Sequence, residues 1–456
     1  MANDELIFPG NGGKKRQPAR KPENMPSAEV KQIREEKLPT EKKIVEDKFS
    51  FAEQEETKPF NTGKLQERNE GLDDYIAKKR DKRRRRNRIL LRVGMGILGL
   101  LLGVVIFGLW YKHYMFSKVT FIEPTPTASF VNDEGEVIEI SKLREELKPQ
   151  IPVIEDESIH NFLLIGIDSR SKSYSKDGKG GLADVIMIMS VDNKAGTIKL
   201  MSIARDSYVY VPGYKNPMKI NAAMSQGGPD LLQLTVENTL RLEIDGYAFV
   251  NFYNMSKVID AAGGVFVNVS NSELYSAAGL NDNLREINTI SGYDADYQLV
   301  NNTGDVWLNG RQAVAYARIR HVDSDYKRSE RQVEVLRSLM SRFMDMSIVD
   351  KGACLDNILE LIATNIPEDE ITKYALEFLP SLKGASIQYF QLPLEGFYNS
   401  GMYGDEWSIR NNWNETIPYV QEFLYGERKD FDPVDNIPNQ KENCPDDFDV
   451  QEHIQG

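Results

Sequence analysis

The longest apolar run of the chain lies near residue 100. Ile89 to Tyr111 reads ILLRVGMGILGLLLGVVIFGLWY, and no charged residue occurs from Val93 onward. A membrane-spanning helix needs about 20 consecutive apolar residues, so this run predicts a single transmembrane helix over 89–111. The basic stretch KKRDKRRRRNR precedes it, and basic flanks stay on the cytoplasmic side. We therefore predict a single-pass cell-membrane protein with a cytoplasmic N-terminus and an extracellular C-terminal domain.

Short apolar runs bounded by turn residues predict buried strands in the second half of the chain. They are Phe162–Ile165, which ends at Gly166, Val185–Val191, Thr197–Ile203 and Val265–Val269. The sequence DNKAG between the second and third runs has the composition of a turn.

Apolar residues at helical spacing lie between these runs and after them. One such pattern falls within 230–242, a second ends at Gly263-Gly264, and a third begins near Leu336. Strands that alternate with helices favour an α/β domain with a mixed central sheet flanked by helices. We predict that this domain covers residues 158–425.

Three further segments differ in composition from the predicted domain. Residues 1–88 are rich in Lys and Glu without apolar periodicity, which predicts a disordered cytoplasmic arm. Residues 112–157 contain four prolines after position 120 and predict a stalk or accessory segment with a hairpin around Asp133 to Gly135. Residues 426–456 are acidic and rich in Pro and Asp, and they predict a disordered tail.

Two cysteines, Cys354 and Cys444, both fall on the predicted extracellular side. A disulfide is permitted there, but two cysteines alone do not establish one, so their pairing stays open. The four histidines are scattered, and no zinc-ligand spacing is present.

Charge is distributed unevenly along the chain. Residues 1–110 hold 24 Lys and Arg against 17 Asp and Glu, whereas the remaining residues hold 32 against 52. An acidic domain of this kind repels nucleic acid, which excludes that partner.

Inside this acidic domain, the stretch Tyr316–Gln332 carries four arginines and Lys327. Because guanidinium groups match phosphate oxygens, this cluster indicates a site for a phosphate-rich ligand.

Charged residues also follow or precede the predicted strands. Asp168 and Arg170 follow the first, Asp184 precedes the second, and Arg205 and Asp206 follow the third. Ligands of open α/β sheets bind at strand ends, and paired carboxylates hold Mg²⁺ or Mn²⁺ together with substrate phosphates.

Two structural readings stay open for these charges. Each acid alone could be a solvated loop residue or a helix cap. The arginine cluster could form a surface salt-bridge network with Asp323, Asp325 and Glu330.

Other catalytic motifs are absent or out of context. The chain has no HExxH, GxSxG or Walker sequence. Ser173–Lys176 matches SxxK, but it lies in a loop rich in Ser, Lys and Gly, so we interpret the match as chance.

Six ordered segments of the chain resemble the LytR-CpsA-Psr family of membrane-anchored cell-wall polymer ligases. They are NFLLIGIDSR (161–170), the acid before VIMIMSVD (184–192), LMSIARDSYVYVPG (200–213), KINAAMSQGG (219–228), VIDAAGGVFVNV (258–269) and LNGRQAVAYARIRHVDSDYKRSERQ (308–332). Two positions depart from the family pattern. Leu182 stands where the family usually has Arg, which weakens one phosphate contact, and Ala204 stands where it usually has Pro, which changes loop stiffness.

The resemblance implies a polyprenyl-pyrophosphate-linked glycopolymer as donor and a muramic-acid hydroxyl of peptidoglycan as acceptor. The product would be a phosphodiester link, and polyprenyl phosphate would be released. The lipid tail of the donor would need an apolar pocket in the protein, and membrane lipid would be a further partner. Asp168 and Asp184 would hold magnesium. The pyrophosphate would be bound by Arg205, Arg318, Arg320, Arg328 and Gln332, with Arg170 and Lys219 as weaker candidates. Arg331 and Lys327 are assigned to the solvated face.

The acid that accepts the acceptor's proton stays open among Asp168, Asp206 and Asp325. The motifs also do not separate transfer from hydrolysis of the same donor by a pyrophosphatase. A third reading is a regulatory membrane protein that binds polyprenyl phosphates without turnover.

Overall fold

The structure is a computed structural model that describes residues 62–122, 128–148, 154, 156–168, 181–320, 322, 325–378 and 384–455. The chain divides into two compact units, Met1–Leu98 and Gly99–Gly456. Helix α1 spans Thr62–Phe116. Residues 62–88, predicted as part of a disordered arm, are thus helical. Lys and Arg, which have high helix propensity, make up 11 of these 27 residues, and proline is absent from them.

The predicted membrane span falls within α1. Within the side chains that the structure describes, no helix combines the length and the apolarity needed to cross a membrane. Several side chains of the span, among them those at 92–94 and 98–100, lie outside that description. The transmembrane helix over 89–111 stays a prediction.

The second unit contains the strands and the remaining helices. The strands are β1 (Thr120–Phe121), β2 (Ser129–Val131), β3 (Val137–Glu139), β4 (Ile159–Ile167), β5 (Ala183–Asp192), β6 (Thr197–Ile203), β7 (Tyr208–Val209), β8 (Met218–Lys219), β9 (Gly246–Asn251), β10 (Val265–Val269), β11 (Gly304–Leu308), β12 (Ala363–Thr364), β13 (Ser386–Leu392), β14 (Tyr398–Tyr403) and β15 (Glu406–Asn411). The helices are α2 (Ile140–Leu147), α3 (Ala222–Leu240), α4 (Phe252–Ala261), α5 (Asn271–Tyr275), α6 (Leu280–Ser291), α7 (Gly310–Ala317), α8 (Asp325–Asp345), α9 (Ile348–Ile358), α10 (Glu368–Phe378), α11 (Trp413–Tyr425) and α12 (Val450–His453), with a 3-10 turn at Leu359–Leu361.

A seven-stranded mixed sheet forms the centre of this unit, as predicted. Its strand order is β1-β12-β9-β4-β5-β6-β13. Strand β5 is antiparallel to both β4 and β6, whereas β9 is parallel to β4, and β13 is parallel to β6. The carboxyl ends of β4, β6 and β9 therefore lie at the same edge of the sheet as the amino end of β5.

Both faces of the sheet are covered. Leu163 and Ile165 of β4 point into the core that α3 and α11 complete. The intervening Leu164 points to the opposite face, which α8 covers. Burial on two faces explains why these strands are almost continuously apolar in sequence.

The predicted hairpin at Asp133 to Gly135 is confirmed, since β2 pairs antiparallel with β3. Phe130 and Ile140 of this segment belong to the main core. Gly213, at φ +85°, lies so close that a Cβ there would approach Phe130 to 2.7 Å. The part of 112–157 that contains the hairpin therefore belongs to the domain instead of forming a separate stalk.

The C-terminal tail differs from its predicted disorder, because residues 426–455 lie against the domain. Ile437 and Val450 are buried in the main core. Arg241 donates hydrogen bonds to the carbonyls of Asp432 and Pro433, at 2.8 and 3.1 Å. Bonds from domain side chains to the tail backbone are invisible in composition, which explains the error. Cys354 and Cys444 are both free thiols.

A histidine–carboxylate pair provides a test of this packing through pH. His160 Nδ1 lies 3.3 Å from Asp245 Oδ1, and this hydrogen bond raises the pKa of His160 above its ordinary 6.5; Glu377 acts in the same direction, and Lys373 opposes it. A raised pKa adds stability below pH 6.5 that is lost as pH rises through the folded-state pKa. We expect His160→Gln to cost more unfolding free energy at about pH 5.5 than at about pH 8.5. Urea unfolding at both pH values measures this, and an equal cost would contradict it.

Candidate active site

A polar cavity of about 370 Å³ opens at the sheet edge where β4, β6 and β9 end. Seven of the residues predicted from the sequence line it together. They are Asp168, Asp184, Arg205, Arg318, Arg320, Arg328 and Gln332.

The strand directions explain why the first three meet. Asp168 directly follows β4, Asp184 lies at the start of β5, and Arg205 follows β6. Because β5 runs opposite to its neighbours, its first residues lie beside the last residues of β4 and β6. The N–H of Asp168 donates to the carbonyl of Leu182 at 3.3 Å, which joins the two loops.

Helix α7 positions the first two arginines of the cluster. Asn309 and Gln312 form a capping box at its start, and Arg318 is its C-cap. Gly310 allows α7 to approach α4, because a Cβ there would lie 1.7 Å from the carbonyl oxygen of Ser256. The Arg318 guanidinium lies 5.1 Å from the ring centre of Phe252 and 3.7 Å from Glu286 Oε1.

Helix α8 supplies the second half of the cluster. Arg328 and Gln332, one turn apart, both face the cavity, as their spacing predicted.

Arg331 was wrongly assigned to the solvated face, because only 3% of it is exposed. It donates to Glu273 Oε1 at 3.1 Å and to the carbonyl of Ile319 at 2.8 Å. Arg331 therefore anchors the segment that ends in Arg320. Lys327 is exposed and pairs with Glu330 at 2.7 Å.

A chain of ion pairs supports the cavity from behind. Arg205 binds Asp184 through Nη1, and its Nε lies 3.5 Å from Asp206 Oδ2. Asp206 is buried, and it also contacts Lys219 Nζ at 3.2 Å and Arg320 Nη2 at 4.0 Å. Lys219 in turn lies 3.2 Å from Glu406. Asp206 and Lys219 therefore do not line the cavity but hold the arginines that do.

Two predicted site residues cannot be placed by their side chains. Arg170 lies outside the described residues. Asp325 is the first residue of α8, and only its backbone is described.

Sequence reasoning missed one wall of the cavity. Its residues come from the start of α4 and from α6 with the turn before it: Phe252, Ala278, Asp282, Asn283 and Glu286. Phe252 directly follows β9, a strand that the sequence did not predict, and residues 278–286 contain no strand-end motif. The available signal was the helical spacing of Asp282 and Glu286, four residues apart and hence on one face.

A second, apolar cavity of about 220 Å³ lies beside the polar one. It runs between the sheet and helices α4, α7 and α8, and aliphatic side chains form most of its lining. Phe252, Ala317 and Gln332 line both cavities. A ligand with an anionic head and an apolar tail could therefore occupy the two together.

The model of the LytR_cpsA_psr family matches residues 129–417, which include both cavities. The chain belongs to the LytR-CpsA-Psr family. It is 28% identical over 320 residues to the polyisoprenyl-teichoic acid–peptidoglycan teichoic acid transferase TagU of Bacillus subtilis, covering 70% of this chain and 90% of that protein. It is 32% identical over 210 residues to TagV of the same organism, covering 45% and 48%.

Among solved structures, the crystal structure of protein gbs0355 from Streptococcus agalactiae is similar at a TM-score of 0.50 and 22% identity. That similarity covers 61% of this chain and 92% of that one, and it supports the fold alone.

The two departures from the LytR-CpsA-Psr pattern have visible settings. Leu182 is 46% exposed beside the cavity, so its side chain offers no charge to an anion there. Ala204 donates its N–H to the carbonyl of Leu392 at 3.1 Å, a bond that proline cannot make. Ala204 thus ties the Arg205 loop to β13, in addition to any change in loop stiffness.

The cavity offers two of the predicted carboxylates, Asp168 and Asp184, to a divalent cation. The described residues contain no group of three or more His, Cys, Asp or Glu that could hold a metal by themselves. Asp168 and Asp184 both line the cavity, and Mg²⁺ commonly binds through one or two carboxylates plus substrate phosphates and water.

Proposed function

We propose that this protein transfers a teichoic-acid-type glycopolymer from a polyisoprenyl-pyrophosphate donor to peptidoglycan. The observation that carries the proposal is the gathering of four arginines at one cavity beside an apolar cavity. Family membership and the names of the TagU and TagV relatives support the same reaction.

The arginines bind the pyrophosphate of the donor. Arg318 caps the C-terminus of α7, Arg328 belongs to α8 and Arg205 follows β6, so the phosphates are held from several sides. Planar guanidinium groups bind phosphate oxygens bidentately and neutralise their charge. Gln332, at the boundary between the two cavities, contributes an amide donor near the lipid-phosphate junction.

The reaction exchanges one phosphorus–oxygen bond for another. The acceptor hydroxyl oxygen bonds to the phosphorus next to the polymer, and the bond from that phosphorus to the bridging oxygen breaks. Polyisoprenyl phosphate leaves with the bonding electrons, and the hydroxyl proton passes to a base. Such transfer depends mainly on positioning and on charge neutralisation.

Mg²⁺, or Mn²⁺, is the proposed cofactor, held by Asp168 and Asp184, and it would neutralise charge on the phosphates. Asp168 is one candidate for the base, because it is exposed at the cavity, and a cation bound to it would lower its basicity. Asp206 is less suited to that role, because its oxygens lie against Arg205, Lys219 and Arg320. Asp325 stays a candidate.

The proposed setting is the outer face of the cell membrane. A helix over 89–111 would hold the domain there, so that the lipid of the donor reaches the apolar cavity from the membrane. Peptidoglycan is found on the same side. The apolar cavity also provides room for the donor's tail without exposing it to water.

Reconstitution tests the function. The full chain in liposomes with Mg²⁺, lipid-linked polymer and peptidoglycan oligomers should yield polymer attached to glycan. Free phosphorylated polymer would identify a pyrophosphatase instead. Lipid binding without either product would contradict both enzymatic functions and favour a regulatory protein.

The apolar cavity gives a prediction about donor length. Ala248 of β9 faces this cavity, so Ala248→Phe should fill part of its volume of about 220 Å³. We expect KM for a long-chain donor to rise at least about tenfold, a loss of roughly 1.4 kcal/mol in binding. A short-chain, water-soluble analogue should be affected little. Steady-state kinetics with both donors measures these effects, and Ala248→Val is the smaller control. Equal rises in KM for the long-chain and the short-chain donor would contradict the assignment of the cavity to the lipid tail.

A further inference from the structure

A groove of about 650 Å³ runs along α8. We call it the α8 groove and define it by Phe266, Trp307, Arg337, Ser338, Arg342 and Gln455. Its α8 lining extends from Glu330 to Asp345, 15 helical steps or roughly 22 Å. It shares none of its lining residues with the polar cavity or the apolar cavity of the proposed active site.

Two aromatic rings form one side of the groove. Phe266 of β10 and Trp307 of β11 are directly paired in the antiparallel two-stranded sheet that these strands form, and about half of each side chain is exposed. Their ring centres are 6.3 Å apart. The alternate residues Val265 and Val267 point into the core, so the sheet pleat fixes which face presents the rings.

The position of Trp307 is fixed by its surroundings. Gly264 has φ +93°, and a Cβ there would lie 2.5 Å from Trp307 Nε1, so only glycine lets the indole lie against the backbone. The Arg342 guanidinium is 5.2 Å from the Trp307 ring centre, and its Nε donates to the Ala262 carbonyl at 3.3 Å. An exposed ring held in this way is a rigid contact surface that loses little conformational entropy on binding.

The polar side chains of the groove are also ordered. Ser338 Oγ accepts from the N–H of Phe266 at 2.7 Å, and Arg337 donates to the Ile387 carbonyl at 2.8 Å. Gln455 pairs through its backbone with Tyr389, which leaves its side chain on the groove wall. Donors and acceptors therefore lie at fixed places along an aromatic surface.

The charge of the groove selects against a polyanion. Two arginines, Arg337 and Arg342, are outnumbered by three acids, Glu330, Glu334 and Asp345. The polar cavity, by contrast, is lined by four arginines. Sugar rings offer C–H faces that pack on aromatic rings and hydroxyls that bond to Ser, Gln, Arg and carboxylate groups. An extended saccharide without phosphate groups matches this lining better than the phosphate-rich polymer.

We propose that the α8 groove binds the glycan strand of peptidoglycan and holds the acceptor next to the active site. This rests on the proposed function for the identity of the glycan. Glu330, at one end of the groove, lies two residues from Arg328 and Gln332, which line the catalytic cavity from the other face of α8. The groove therefore approaches the polar cavity at the N-terminal turns of α8.

Co-sedimentation with peptidoglycan sacculi stripped of teichoic acid tests the proposal, using the full chain in detergent. Trp307→Ala and the double variant Phe266→Ala/Trp307→Ala should weaken binding at least about tenfold. Trp307→Phe should retain most of it. Trp407→Ala, an exposed tryptophan on the hairpin β14–β15, is the matched control and should bind as the unchanged protein does.

The same variants should keep their affinity for the lipid-linked donor, which shows that they are folded. Sacculus binding that survives in the double variant would overturn the proposal. The proposal would also be overturned if the variants bound sacculi normally and lost binding only to purified polyanionic polymer, or only to a protein partner. If reconstitution gives no transfer while Trp307-dependent sacculus binding persists, the groove is supported and the proposed function is not.

Discussion

Arg205→Ala is expected to lower the rate of polymer transfer at least about 1,000-fold, the effect of losing an arginine that stabilises a phosphoryl transition state. Arg205 lies between Asp184 and Asp206 and lines the cavity. Its removal leaves two carboxylates without the cation between them, and these then repel the pyrophosphate. The initial rate of polymer attachment to peptidoglycan oligomers measures the effect.

Arg205→Lys separates charge from geometry. A lysine keeps the charge, but its single ammonium cannot reproduce the fork that contacts both acids, so an intermediate loss is expected. Arg428→Ala is the control, because Arg428 pairs with Glu422 at the surface and away from the cavity. Thermal unfolding of each variant excludes misfolding. A rate for Arg205→Ala within tenfold of the unchanged protein would mean that Arg205 only stabilises the loop.

Arg331→Ala is expected to lower the free energy of unfolding by about 3–5 kcal/mol, the usual cost of removing one partner of a buried ion pair. Arg331 is almost completely buried against Glu273 and the Ile319 carbonyl. Its loss leaves Oε1 of Glu273 without its arginine in a side chain that is 12% exposed, while Oε2 still accepts from the N–H and the hydroxyl of Ser270. Urea unfolding, extrapolated to water, measures the change.

Two variants make this prediction specific. Arg331→Met combined with Glu273→Gln should recover much of the lost stability, because a neutral amide needs no cation and can still accept from the Ser270 N–H that caps α5. Lys327→Ala, which removes an exposed cation of the same cluster, should cost no more than about 1 kcal/mol. If Arg331→Ala were as mild as Lys327→Ala, Arg331 would behave as the solvated residue that the sequence suggested.

The strands next to the site could be predicted closely from the sequence. The apolar run at 197–203 coincides with β6, the run at 265–269 coincides with β10, and the run at 185–191 falls inside β5. Burial on both faces makes such strands apolar at nearly every position. Strands β9 and β13 were missed. β13 pairs with β6 across about 190 residues of sequence, a contact that no local pattern reports.

The candidate site was predictable as a set of residues but not as an arrangement. Motif order named Asp168, Asp184 and Arg205, and the structure places them at one cavity. Nothing local distinguished Arg328, which faces that cavity, from Arg331, which anchors Ile319. The direction of each side chain depends on how α8 lies against α7 and on Glu273, which is 58 positions away along the chain.

The sequence by itself determined the kinds of groups that the domain brings together: strand-end carboxylates, an arginine cluster and apolar strands for a mixed sheet. These follow from local periodicity and from residue chemistry. The tertiary structure decided the wall supplied by α6, the ion-pair chain from Asp184 to Glu406, the apolar cavity and the α8 groove. Each of these joins residues that are distant in sequence, and such contacts form only when the sheet and its helices pack together.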